Sequence, residues 1–464
     1  MPFLQTNFKE KIIMKETKYY ELNGAQEVVM LQCKYSLFKR IVNILSSMST
    51  KKAINFDIMK KAFNKVIERN DCLRIRFTKK NKKLVQYFIE EDKFENIPVL
   101  EFKTEAEQVN FIDNLKKKPI KYMKGKVLEP YFIKTHDNKN MVLLKVCHLI
   151  LDIYGINVIF KDLFAVYDAM IDGKELPPAP NSFEEVLQKD LARKNNETRK
   201  EQNTEFFKNY FAGTEEPYFA GIGGPNQEIW KKQLAKGKRA MKMFFVHNDT
   251  KGFEQHIDKE IIDKVMAYCK ENECSPANFM LYACCLTAAK INNNIKNMLP
   301  MLLYNCRGSA LEKNCAGVKA QSMCSYTSFD YNKSFHENLA DFLPQHTKLY
   351  RRIGFSDHQM VSILHKTYGG SMMETYYSIA FSFIPYTKPK DLQFDMYSNE
   401  KCALPAYLAL FYDIEKGDIL MYYDVQTIIT TGQDVDKFHK NFVSVLKQIT
   451  ENPNINISEI EVLR

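Results

Sequence analysis

The apolar positions of this chain change period once in a way that matters. Val142-Leu143-Leu144 and Val146-Cys147 form a nearly continuous run suited to a buried strand. Val158, Ile159, Leu163, Val166, Tyr167 and Met170 then recur at the spacing of an amphipathic helix. Between strand and helix stand His148-Leu149-Ile150-Leu151-Asp152 and a turn through Ile153-Tyr154-Gly155. A histidine at a strand end has a fixed backbone and an imidazole that can face a cleft. Its ordinary pKa near ~6.5 lets modest surroundings poise it as a general base. A lone H-x-x-x-D also arises by chance, so on these residues alone a structural histidine stays open.

The same reading extends along the chain. A helix is expected over about 57–69, with Met59, Ala62, Phe63, Val66 and Ile67 on one face, followed by a strand in which Leu73, Ile75 and Phe77 alternate with arginines. Leu84 to Ile89 is its hairpin partner. After the central helix, Leu176 to Asn181 (LPPAPN) is the strongest domain boundary. A polar helical stretch follows over 182–211, and a second αβ set opens with a strand from Met241 to Val246. Ser275-Pro276 starts a helix that is largely apolar in its first half. The expected division is an N-terminal extension over 1–20, a first lobe over 21–176, a connector and helical segment over 177–240, and a second lobe over 241–464.

Composition narrows the class. Of 464 residues, 45% are hydrophobic and 26% charged, as in a globular protein. No apolar run nears the roughly 20 residues that span a bilayer, and the N-terminus lacks the core of a secretory signal. Eleven scattered cysteines without zinc spacing point to free thiols in the cytoplasm, with no metal site. The abundance of Lys, Asn and Ile fits an AT-rich bacterial genome. The net charge of +10 comes from lysines dispersed in short clusters such as Lys116-Lys117-Lys118, without interleaved aromatics, so nucleic acid is not the expected partner. An acidic carrier protein or the phosphates of coenzyme A would suit such a face equally. His346 and His358, with no nucleophile nearby in sequence, are expected to be surface histidines.

Taken in order, these segments resemble a condensation domain of nonribosomal peptide synthetases, within the chloramphenicol acetyltransferase-like HxxxD acyltransferase superfamily. The family's H-H-x-x-x-D-G motif is matched by Cys147-His148-Leu149-Ile150-Leu151-Asp152-Ile153, its R-H-E-x-L-R-T-x-F motif by Arg69 to Phe77, and its A-Q motif by Ala25-Gln26. Tyr304-Asn305-Cys306-Arg307 through Gly317 resembles its N-R…G-x-F region, and Phe381 to Tyr386 its late strand beside the tunnel.

The resemblance implies an α/β fold of two acetyltransferase-like lobes in a V-shaped pseudo-dimer, with the active site in a tunnel between them. It implies acyl transfer from a thioester to a small-molecule amine, forming an amide, with His148 catalytic. The donor would be carried on coenzyme A or on the phosphopantetheine of an acyl or peptidyl carrier protein, with no permanently bound cofactor and a monomeric enzyme. Asp152 matches a motif aspartate that forms a structural ion pair, and Arg74 matches its partner. Cys147, Ile153, Tyr154, Gly155, Asn305 and Ser382 are expected along the tunnel. Cys147 replaces the first histidine, and Ile153 replaces the glycine after the aspartate. Two alternatives remain: a coenzyme A-dependent O-acyltransferase forming an ester, and a non-catalytic recruitment module that kept the fold.

Overall fold

The computed structural model describes residues 17–34, 36–225, 237, 239–243, 248–371, 373–387 and 391–463. The expected N-terminal extension therefore lies outside the described residues up to position 16, as does part of the Met241 to Val246 strand. Two mixed α/β lobes each carry one large sheet. The first sheet has five strands in the order Gln393–Tyr397, Asn43–Thr50, Asn140–Cys147, Leu128–Lys134 and Val99–Glu101. The second has seven, with Asn297–Tyr304, Tyr377–Tyr386, Ala406–Asp413 and Ile419–Gln426 at its centre.

The helix Phe56–Arg69 buries the five apolar residues expected of it, and Asn55 caps it by accepting from two backbone N–H groups. It packs with the long helix Ile153–Asp172 on one face of the first sheet, while Glu105–Lys117 covers the other through Ile112 and Leu115. In the second lobe the helix Pro276–Ile291 starts after Ser275 with Pro276 in its first turn, and is buried from Asn278 to Lys290. Leu73 lies in a short 3-10 turn, Asp71–Arg74, so the predicted alternating strand begins only at Ile75.

The lobes do not follow the expected boundaries. LPPAPN does not end the first lobe, because Phe183, Val186 and Leu187 of the next helix, Phe183–Lys194, are buried in that lobe's core. The following helix, Glu197–Phe211, instead packs Phe207 and Phe211 with Leu299 and Tyr376 of the second half. The chain thus changes lobe near Asn195-Asn196. Two segments of the second half also return to the first. The strand Gln393–Tyr397 pairs antiparallel with Asn43–Thr50 at the edge of the first sheet. Cys315, Ala316 and Val318 lie in the first lobe's core.

The second return brings backbones very close. A Cβ on Gly155 would lie 2.7 Å from the Gly317 carbonyl oxygen, so the first turn of Ile153–Asp172 clears this segment only because residue 155 has no side chain. Gly155→Ala is expected to destabilise the fold by about 1–3 kcal/mol through overpacking, read as a lowered urea midpoint with unchanged m-value.

Candidate active site

His148 leaves the sheet at the end of the strand Asn140–Cys147, with its backbone N–H donating to Val42 O at 2.7 Å. The chain then turns, and the Leu151 carbonyl comes back to within 3.0 Å of His148 Nδ1. A carbonyl only accepts, so the neutral ring carries its proton on Nδ1 and presents the Nε2 lone pair. Burial holds His148 below the usual histidine pKa, and the Asp152 charge and the Leu151 carbonyl only partly oppose this. At neutral pH the ring is therefore an unprotonated base.

Asp152, four residues on, does not touch the imidazole. Its carboxylate accepts from Gly155 N at 2.7 Å, capping the following helix. It also accepts from Lys319 N at 2.8 Å and Ala320 N at 2.9 Å. A two-pronged pair with Arg307, Nη1 and Nη2 each at 3.0 Å, completes the shell. Burial by itself would raise the Asp152 pKa, but the Arg307 guanidinium and the backbone donors outweigh it and hold the carboxyl below the usual range. Both members of the pair are almost wholly buried, and they come from different lobes.

Arg74 is not the partner of Asp152, which corrects the expectation drawn from the motif. Its Nη1 donates to the carbonyls of Ile67 and Glu68, and its Nε to Ile89 O at 3.1 Å. It satisfies the last turn of Phe56–Arg69, where carbonyls lack helical donors. The residue that sequence reasoning passed over is Arg307, two positions after the Asn305 it selected. The available signal was electrostatic: a buried carboxylate needs a buried cation, and Arg307 lies in a stretch already singled out.

His148 opens on a cavity of about 280 Å³ between the lobes. Val28, Leu31, Ile44 and Ile153 form its wall on the first-lobe side, and Met301, Leu303, Tyr377, Tyr407 and Tyr422 on the second. Met396 and Tyr397 of the crossing strand also face it. Of the other residues expected along a tunnel, only Ile153 lines this space. Cys147 is buried in the first lobe's core, where burial pushes its thiol up to about 12. Tyr154 lies with its ring 4.5 Å from the Arg307 guanidinium carbon, and Gly155 presses on Gly317. Asn305 is exposed, its side chain accepting from Arg307 N at 3.1 Å. Ser382 stands behind the wall, 3.0 Å from the Tyr407 hydroxyl.

His346 is not a surface residue. It is buried between Ser325 Oγ at 3.0 Å and the Tyr304 hydroxyl at 3.1 Å, and burial lowers its pKa to about 4. His358 is exposed and lies at the cavity's edge.

The two-lobed α/β fold thus sets a strand-end histidine against an interlobe cavity. The family model for the condensation domain matches residues 16–299, and the chain belongs to that family. A plipastatin synthase polypeptide of Bacillus subtilis (strain 168) is 19% identical over 452 residues, which is 96% of this chain but only 17% of that protein's length. Among solved structures, a mutant of the starter condensation domain of rhizomide synthetase RzmA in complex with C8-CoA superposes with a TM-score of 0.79 at 14% identity, covering 96% of this chain and 98% of the other. The first condensation domain of the calcium-dependent antibiotic synthetase, in complex with a substrate analogue, gives 0.78 at 13% identity over 96% and 99%. The condensation domain of the Monacolin K polyketide synthase MokA gives 0.78 at 14% identity over 96% and 100%.

Two expectations follow from the geometry. Removing one partner of the buried Asp152–Arg307 pair should cost about 3–5 kcal/mol. A double-mutant cycle on unfolding free energies should show strong coupling for Asp152→Asn with Arg307→Met, and none for Asp152→Asn with Arg74→Met. For His148, titration by NMR, assigned with His148→Ala, should give a midpoint below 6.5. The unfolded chain then binds that proton more readily than the folded one. The stability contributed by the neutral ring is present above pH 6.5 and falls as the pH drops through that value toward the lowered one.

Proposed function

We propose that this chain is an acyltransferase that moves an acyl group from a thioester to an amine, with His148 as the general base. The observation that supports the reading is the fixed tautomer of His148, whose unprotonated Nε2 belongs to a ring lining the interlobe cavity. In the proposed step, Nε2 takes a proton from the attacking nitrogen as that nitrogen bonds to the thioester carbonyl carbon. The carbon–sulfur bond then breaks, the proton passes to the departing thiolate, and an amide and a free thiol result. Asp152 and Arg307 act as positioning residues: they hold the turn from which the Leu151 carbonyl orients the ring.

The donor thioester would arrive on coenzyme A or on a carrier protein's phosphopantetheine arm. Tyrosines and aliphatic side chains dominate the wall, which suits an acyl chain or an aromatic acceptor. Ile153 lines the cavity, and its side chain packs between the first lobe's core and a cluster formed by Ala409, Phe411 and Tyr422. The alternative of a recruitment module without turnover has Ile153 in its favour, but it leaves the orientation and depressed basicity of His148 without a use.

The test is intact-mass detection of product from a panel of acyl-coenzyme A and acyl-carrier thioesters with mixed amines and alcohols. Wild type should form amide, and His148→Ala should lose about 10²–10⁴-fold in rate while its circular dichroism shows the fold retained. Equal turnover by the two proteins would remove His148 from the mechanism. Ester in place of amide would reassign the acceptor, and thioester binding without turnover by wild type would favour the recruitment module.

A further inference from the structure

Lys145 interrupts the apolar strand that leads to His148, and it is 1% exposed. Its ammonium group lies 3.2 Å from Glu129 Oε2, which also accepts from the Tyr131 hydroxyl at 3.3 Å. These groups belong to a second cavity, about 620 Å³ in volume, separate from the one that holds His148. Lys118, Lys121, Lys124 and Lys126 also line it. All four are exposed, and none has a carboxylate partner among the described residues. Glu129 is the one carboxylate against five ammonium groups in the lining, an imbalance of +4.

The loop that carries these lysines is held in place. Ile120 and Val127 are buried, and the Tyr122 ring packs edge-on against Phe77 at 5.7 Å. Gly125, at φ +96°, allows the reversal between the last two lysines. Four like charges on an anchored loop repel one another, and an anionic ligand relieves that repulsion. The site is concave and within the size of small-molecule pockets, and Phe111 and Tyr131 bring aromatic edges to it. These features favour a small polyanion with a planar group over the broad face of an acidic protein.

The pocket adjoins the catalytic cavity. Asn43 lines that cavity, while its Nδ2 donates to Lys118 O at 2.9 Å and its Oδ1 accepts from Ile120 N at 3.0 Å. Lys145 precedes His148 by three residues, roughly 10 Å of strand. We propose that the lysine pocket is a binding site for the phosphorylated nucleotide of a coenzyme A-type donor, placed so that the rest of the donor reaches the cavity of His148. The link to donor use rests on the acyltransferase reading; the anion site itself does not.

The test is calorimetric titration of the full chain with coenzyme A, adenosine 3′,5′-bisphosphate, pantetheine and inorganic phosphate, at low and moderate salt. Wild type should bind coenzyme A and the bisphosphate competitively, at least tenfold more tightly than pantetheine or phosphate, and less tightly as salt rises. Lys121→Glu/Lys124→Glu, with melting unchanged, should lose at least tenfold toward both nucleotides and nothing toward pantetheine. The proposal is overturned by absence of bisphosphate binding, by equal binding in the charge-reversed protein, or by phosphate competing as well as the bisphosphate. Lysine-dependent binding of an acidic carrier protein without bisphosphate binding would also overturn it and assign the surface to a protein partner. The acyltransferase reading is judged apart. Lost nucleotide binding in the charge-reversed protein, with unchanged turnover of pantetheine thioesters, would uphold both. Nucleotide binding by a wild type that transfers no acyl group would leave the anion site standing alone.

Discussion

The arrangement of the site depends on one buried carboxylate. Asp152 is almost wholly buried, and its charge is met by two prongs of Arg307 and three backbone N–H groups. Such a pair adds little net stability, because the desolvation of both ions offsets much of their attraction. What it adds is position. The guanidinium belongs to the second lobe and the carboxylate to the helix cap of the first, so the pair forms only when the lobes meet in one register. Arg307 also donates to Gly317 O at 2.7 Å and Asn305 O at 3.0 Å, which fixes its own loop to the same point.

The spacing of four between His148 and Asp152 follows from this. Three residues of turn bring the Leu151 carbonyl back to the imidazole, and the next residue must both end the turn and cap the helix. The histidine's tautomer is thus set by a backbone group whose place is fixed by the aspartate beside it. Asp152 affects the ring chiefly through structure, since its charge is already committed to Arg307.

Legibility in the sequence divides along the same line. The strand, turn and helix around His148 were readable because burial imposes a period on neighbouring residues, and so were the helices Phe56–Arg69 and Pro276–Ile291. Contacts between distant segments left no such trace. The strand Asn43–Thr50 is buried at all eight positions and paired on both sides, yet it carries Ser46, Ser47, Ser49 and Thr50. Its polar composition hides its central place. The crossing strand Gln393–Tyr397 is short and only half-buried, so its sequence has little to mark it. Arg74 was assigned the role of Arg307 because a motif gives residue type and order but not the lobe from which a charge arrives.

The turn after Asp152 shows how the departures from the family pattern fit together. Ile153 is the first residue of its helix and stands where the motif has glycine, so a branched side chain enters the cavity wall. That side chain packs against both the first lobe's core and the Ala409, Phe411 and Tyr422 cluster of the second. It therefore adds an apolar contact across the interface that Asp152 and Arg307 close by charge. The glycine this turn cannot spare is Gly155. Its helical backbone suits any residue, but the Gly317 carbonyl occupies the space a Cβ would need. Gly317 in turn has φ +106° and lies against the Phe183 ring, so a side chain there meets both strain and a clash. Two glycines from opposite halves of the chain thus permit the close approach that brings Arg307 to Asp152, and the histidine's orientation rests on that contact.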